Sequence, residues 1–271
     1  MEIEKKHNKS EKEIPLQKLP GMISLDSITE TLRDRNLDLI PKREPLSYGF
    51  AGHINLLKCK DKTTGKTINI VEKSFNFRDV KKGEMAKRYW LIENPPSGFM
   101  EETRFRLGVV DKETGKVNKV VIDWLYNEEK ALENLKGTAG IPKSYGAVYE
   151  GLKGSILEQF IEGYDLFDMV NQVNTIEEIN NIFDKIKLCY TEAAKKGYIY
   201  NSPASSTIMV EKATNQPYLI DWYNHSSGSI ESQGPVKEKF EKGLSEIEAE
   251  RKRFINEFEQ EKLAELKAQV K

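Results

Sequence analysis

Cysteine is scarce in this chain: Cys59 and Cys189 are the only two among 271 residues. Two thiols so far apart give no disulfide framework and no Cys/His metal motif, and they suit a reducing compartment. Long apolar runs are missing too. No stretch approaches the roughly 20 apolar residues that a bilayer-spanning helix requires, so no membrane insertion is expected. The opening MEIEKKHNKSEKE is charged from Glu2 onward and lacks the apolar centre of a secretory signal. Net charge is almost absent: 42 basic against 43 acidic side chains leave −1, so no bulk field favours nucleic acid or an anionic membrane. His53 and His225 stand apart from other ligand-type residues and read as surface or capped side chains.

What the chain does contain is a run of strand-like alternation followed by helical patterns. Its length suits one two-part domain or two small ones. Residues 1–20 are Lys/Glu-rich and read as a disordered tail. Residues 21–45 read as an N-terminal helical extension. There SLDSITETLRDRNL (Ser24 to Leu37) offers Ser24 or Asp26 as N-cap and Ile28 and Leu32 as an apolar stripe. LSYGFAGHI, from Leu46, carries Gly49 and Gly52 in a turn whose backbone can approach a phosphate, because no Cβ intervenes. LLKCKDKTTGKTINIVEKSF then gives two alternating strands around the Asp61–Gly65 turn, the second bearing Lys73.

NEEKALENLKGTAGIP (Asn127 to Pro142) predicts a helix with Ala131, Leu132 and Leu135 as its stripe, ended by Gly137 and Pro142. Its first turn holds Glu128, with Glu129 one residue out of register. YGAVYEGLKGSILEQFIEGYDLFDMV predicts two strands, a connecting segment at Glu158–Gly163 and a following helix. Between Lys73 and this region, residues 78–125 read as an insertion, with Thr103 to Ile122 as a further hairpin on the same sheet. Lys119 is an alternative to Lys73, but it lies too close to Glu128 for a strand to end and a helix to begin between them. Farther on, GYIYNSPASSTIMVEKATNQPYLIDWYN places an apolar strand directly before Asp221.

This order of elements resembles the protein-kinase-like superfamily, in the minimal form found among secreted bacterial effector kinases. The resemblance implies an α+β, two-lobed fold. Its N-lobe spans 46–154 and carries the 78–125 insertion; a truncated C-lobe spans 155–234, and a C-terminal amphipathic helix spans 235–271. It implies that Gly49 and Gly52 cover phosphates, that Lys73 grips them, that Glu128 holds the lysine, and that Glu158 opens the hinge. It also implies ATP as cofactor with a single Mg²⁺ on Asp221. The IDW triplet, Ile220 to Trp222, also occurs in aminoglycoside- and choline-kinase-like enzymes, which makes small-molecule kinases a neighbouring family.

The departures from that pattern concern the transfer chemistry. Ser47 replaces the first loop glycine. Ser202 stands where the family has its catalytic Asp, Ala204 where it has a Lys, and Thr207 where it has the metal-binding Asn. A serine hydroxyl does not accept a proton near neutral pH, and general-base help is worth roughly 10²–10⁴ in rate. No carboxylate lies between Gly197 and Val210 to substitute. The expectation is a pseudokinase, a nucleotide-binding regulator or effector with a protein partner, cytoplasmic or delivered into a host cytosol. The alternative is an atypical enzyme on the same scaffold, a protein kinase or nucleotidyltransferase/ligase with a rewired site. In the C-terminal helix, Phe240, Leu244, Ile247, Phe254 and Phe258 recur at helical spacing. Phe254 and Phe258 are candidate partner anchors, unless the helix packs back on the molecule itself.

Overall fold

The structure is a computed structural model that describes residues 23–48, 52–76, 120–150, 153–200, 203, 207–222, 225–231 and 234–269. Helix α1 (Leu25–Arg33) begins where the Ser24 hydroxyl accepts the Ser27 N–H. The Glu150 carboxylate braces this cap, accepting from the Ser24 hydroxyl at 2.7 Å. Ile28 and Leu32 face inward and are fully buried. The helix stops at Arg33, and Asn36, at φ +60°, turns the chain into β1 (Leu37–Tyr48). The expected helical extension over 21–45 is therefore corrected: from Leu37 it is strand, with Leu37 and Leu39 packed on the core in alternation.

Strands β1, β2 (Gly52–Asp61), β3 (Thr67–Asn76), β4 (Ser144–Glu150) and β5 (Lys153–Gln159) form one antiparallel sheet in the order β1-β2-β3-β5-β4. Pro41 and Pro45 sit on the edge strand β1, whose register slips between Ile40 and Arg43 and between Pro45 and Ser47. An edge with bulges is where a missing N–H costs least. Side-chain alternation gives the sheet two distinct faces. Leu57, Cys59, Ile70 and Leu157 pack with Ile28 and Leu32 beneath α1. Ile156 faces the other way, toward Leu125, Ala131 and Leu132 of helix α2 (Val120–Asn134) and Leu135 just after it.

Helix α2 begins at Val120, not at Asn127. The β-branched Val120-Val121-Ile122 suggested a strand. Leu125, however, is buried at helical spacing from Glu128 and Leu132, so the inward stripe runs on upstream. Residues 120–122 of the expected hairpin, and the C-terminal end of the expected insertion, are thus helical. The rest of 78–125, including Lys119, lies outside the described residues.

The second half of the chain is mainly helical. After β6 (Gly163–Asp165) and a 3₁₀ turn (Leu166–Asn171) come α3 (Ile176–Lys195), β7 (Tyr198–Tyr200), β8 (Ile208–Glu211), β9 (Gln216–Leu219), β10 (His225–Ser227) and α4 (Pro235–Gln269). Strands β6, β8 and β9 form one small sheet, β7 and β10 another. A Cβ on Gly163 would collide with the Val210 carbonyl, so only glycine lets β6 lie this close to β8. Helix α3 is the centre of the larger core, burying Ile179, Ile182, Phe183, Ile186, Tyr190 and Ala193.

Helix α4 is a single 35-residue helix that lies along α3. Gly243 allows the approach, since a side chain there would meet the Tyr190 hydroxyl. Phe240 stacks on Tyr190 with ring centroids 5.4 Å apart, and Phe254 lies 5.9 Å from Phe183. Arg251 pairs with Asp184. Phe254 and Phe258 are 0% and 6% exposed, so neither is a surface anchor for a partner. The helix packs back on the molecule, because its aromatic stripe matches the apolar face of α3; beyond Phe258 its residues 259–268 are exposed. The fold is α+β with a mostly antiparallel sheet, and no helix among the described residues is long and apolar enough to cross a membrane.

Candidate functional site

Four of the residues singled out by the sequence meet at one point. Lys73 lies on β3 opposite Ile156, on the sheet face turned toward α2. Its ammonium is 2.9 Å from Oε1 of Glu128, 3.2 Å from Oε2 of Glu158 and 2.8 Å from Oδ1 of Asp221. Three carboxylates therefore surround one ammonium. Glu128 comes from α2, where the one-residue alternative Glu129 instead accepts the Tyr149 hydroxyl at 3.0 Å. Side-chain exposure grades the cluster: Glu128 2%, Glu158 3%, Lys73 10% and Asp221 33%, so Asp221 is its solvent-facing member.

Asp221 follows β9 and is held in an uncommon backbone conformation, φ +63°. A left-handed residue other than glycine costs on the order of 1 kcal/mol, which the surroundings must offset. They do so with hydrogen bonds on both sides. The Ile220 N–H donates to the Thr207 carbonyl at 2.9 Å, and the Tyr200 hydroxyl donates to the Ile220 carbonyl at 2.6 Å. On the far side, the Trp222 N–H donates to Oε1 of Glu128 at 3.2 Å. Trp222 is fully buried and meets Tyr200 edge-on, with centroids 5.0 Å apart. Glu128 therefore ties α2 both to the β3 lysine and to the segment that carries Asp221.

Burial dominates the electrostatics. It alone would lower the affinity of Lys73 for its proton, but Asp221, Glu128 and Glu158 override it and hold the ammonium charged well above its ordinary range. Glu128 shows the opposite balance: desolvation outweighs the attraction of Lys73, and the neighbouring carboxylates add to it, raising its carboxyl to about 8. With three acids and one cation, burial and like charge both favour the protonated form of Glu128.

Of the other positions, Gly52 opens β2 opposite Phe75, and Thr207 supplies the carbonyl just described. Gly49, Ser202 and Ala204 lie outside the described residues. Glu158, expected to open the connecting segment, is the penultimate residue of β5, and its carboxylate lies 3.2 Å from the Lys73 ammonium. Its alternation with Ile156 was the available signal.

The sequence reading missed the other face of the same strands. Arg43 forms a two-pronged pair with Glu72, both contacts at 2.7 Å, and donates to the Ile23 carbonyl at 2.6 Å. Asn55 and Ser155 complete the shell around the Glu72 carboxylate at 3.1 Å each. Glu72 shares the parity of Ile68 and Ile70, which pointed it into the core beneath α1 and demanded a partner there.

Among the described residues no group of three or more His, Cys, Asp or Glu is disposed to hold a metal ion. Asp221 would contribute one carboxylate to a cation completed by other ligands. No family model and no curated protein matches this chain.

Proposed function

We propose that this chain is a degenerate, two-lobed protein-kinase-like protein that binds a nucleotide and acts through a protein partner, not by phosphoryl transfer. The observation that carries the reading is the meeting of Lys73 on β3, Glu128 on α2 and Asp221 after β9. In the kinase-like frame these are the phosphate-gripping lysine, the acid that holds it, and the metal-bearing acid. Further support comes from the element order, an antiparallel sheet with one helix followed by a mainly helical half, with the change near Glu158–Gly163.

The cluster fits ATP under one condition. The Lys73 ammonium donates to Glu128 at 2.9 Å and to Asp221 at 2.8 Å, while Glu158 lies at ion-pair distance, 3.2 Å. A phosphate oxygen takes the place of Asp221 on the ammonium only if that carboxylate lets go. Asp221, the exposed member, is the one free to move. It would hold the single Mg²⁺, whose chemistry is neutralisation of phosphate charge. Glu128 and Glu158 stay buried and keep Lys73 in place. Transfer is disfavoured because Ser202, Ala204 and Thr207 stand where base, cation and second metal ligand are needed. A fold that binds without turnover acts by occupancy, as a regulator or effector.

The test is thermal unfolding with ATP, with and without Mg²⁺. Mg²⁺ and ATP together raise the midpoint, ATP alone does not, and Lys73→Met removes the effect. An unchanged midpoint with Mg²⁺ and ATP overturns the reading.

A further inference from the structure

The chain that follows Asp221 turns back and holds it. His225 Nδ1 lies 2.7 Å from the Trp222 carbonyl oxygen. A carbonyl only accepts, so the ring carries a proton on Nδ1 and donates it there. The ring rests on Tyr198, with centroids 5.0 Å apart, and the Tyr198 hydroxyl accepts from Asn134 at the end of α2 at 2.6 Å. Across the β7–β10 pair His225 stands directly opposite Tyr200, whose hydroxyl reaches the Ile220 carbonyl at 2.6 Å and the Asp221 carbonyl at 3.2 Å. Strand β10 is itself tied to α4, where Lys239 Nζ donates to the Ser226 hydroxyl at 2.8 Å. The successive carbonyls of Ile220, Asp221 and Trp222 thus accept from side chains on two paired strands.

These bonds matter most when Lys73 is taken from Asp221. Here the carboxylate sits on the ammonium while the backbone keeps φ +63°. A left-handed residue and a single hydrogen bond each shift an equilibrium by roughly tenfold. Once a phosphate takes the lysine, the bonds to the backbone decide whether the segment keeps its shape. We propose that His225 is a positioning residue for Asp221: its Nδ1–H holds the Trp222 carbonyl and so keeps the segment in the conformation that presents the Asp221 carboxylate to a cation. This rests on the nucleotide reading above and adds to it a residue that acts through the Trp222 peptide. Tyr200 holds the segment before Trp222, and His225 fixes the direction in which the chain leaves it.

The experiment compares the full chain with two variants. His225→Phe keeps a ring for Tyr198 and removes the donor. His225→Asn loses the ring but keeps an N–H as many bonds from Cβ as Nδ1. Hydrogen exchange of the Trp222 amide, which donates to Glu128, is followed by NMR without nucleotide, and affinity for ATP with Mg²⁺ by calorimetric titration. In His225→Phe the exchange is expected to quicken about tenfold, the scale of one hydrogen bond, while amides in the middle of α3 do not change. Affinity for ATP with Mg²⁺ is expected to fall about three- to tenfold, because apparent affinity follows the fraction of chains in the competent conformation. His225→Asn should stay within about twofold of the unmodified chain on both readouts, less than the loss of one hydrogen bond. Equal losses in the two variants would assign the effect to the ring and overturn the inference. Unchanged affinity in His225→Phe overturns it too, whatever the exchange shows, and leaves the nucleotide reading intact. An unmodified chain that binds no ATP with Mg²⁺ overturns both.

Discussion

Lys73 and Glu128 are 55 positions apart in the chain, and the Lys73 ammonium lies 2.9 Å from the Glu128 carboxyl with both side chains buried. The pair is not a simple salt bridge, because Glu158 and Asp221 share the same ammonium. One cation cannot neutralise three buried or half-buried acids. The surplus charge raises the carboxyl that burial already penalises most, that of Glu128.

Stability should therefore depend on pH through Glu128. An unfolded glutamate titrates near about 4.3, whereas Glu128 in the fold is raised to about 8. Between those values the native state binds the extra proton, so its contribution is fully present below the unfolded value and lost as pH rises through about 8. The decline approaches about 1.4 kcal/mol per pH unit at most for one proton. Urea unfolding from pH 5 to 8.5 checks this, with Glu128→Gln expected to give the flatter profile.

Replacing Lys73 is expected to cost more than a surface lysine would. Lys73→Met leaves three carboxylates facing one another, and breaking a buried pair from one side typically costs about 3–5 kcal/mol. The loss should be larger at pH 8 than at pH 5, since protonation of the acids relieves the repulsion. Equal losses at the two pH values would mean that packing of the lysine stem, not charge, is what the substitution removes.

Much of this arrangement was legible in the sequence, for reasons that differ by residue. Ser24, Ile28 and Leu32 announced α1 because capping and a 3.6-residue stripe are local signals. The turn at Asp61–Gly65 announced β2 and β3, and alternation placed Lys73 on the second of them. Lys73, Glu128 and Asp221 could be named together only through their order along the chain. The start of α2 was misplaced because Val120-Val121-Ile122 has strand propensity, and only the buried Leu125 reveals that the helix continues. The side-chain directions of Glu72 and Glu158 were encoded by parity along their strands. Which acid answers to Arg43 and which to Lys73 depends on register between strands, and that is not a local property.

The Arg43–Glu72 pair offers a test of that register. Arg43→Met strands the buried Glu72 carboxylate and is expected to destabilise by about 3–5 kcal/mol. Among the described residues, Asn55 and Ser155 remain as its donors. The double variant Arg43→Met, Glu72→Met should recover most of the loss, because an apolar pair avoids desolvating two charges. Additive losses in the double-mutant cycle would show that the two side chains do not depend on each other.

On the proposed reading, the purified chain transfers no phosphoryl group to protein substrates or to itself. The same reading predicts that Ser202→Asp with Thr207→Asn introduces measurable autophosphorylation, since general-base help contributes roughly 10²–10⁴ in rate. Ala204 keeps the gain below that of a complete site. Radiolabel transfer by the unmodified chain, lost in Asp221→Ala, would return it to the active kinases.

The C-terminal helix separates packing from surface within one element. Phe254 is fully buried against Phe183, so Phe254→Ala is expected to cost about 3–5 kcal/mol, the usual range for emptying an aromatic site in a core. Removing everything after Gly234 deletes Phe240, Ile247, Phe254 and Phe258 together and uncovers the face of α3, which should abolish cooperative unfolding. Deleting only residues 260–271 touches no buried side chain among those described, and Leu263 and Leu266 are more than half exposed. That shorter deletion should leave the thermal midpoint within about 1 °C, as surface changes usually lie within about ±0.5 kcal/mol. A large drop from it would mean that the distal turns carry contacts with parts of the chain outside the described residues. An unchanged midpoint would leave these turns, with Leu263 and Leu266 on them, as the part of α4 available for contact with another molecule.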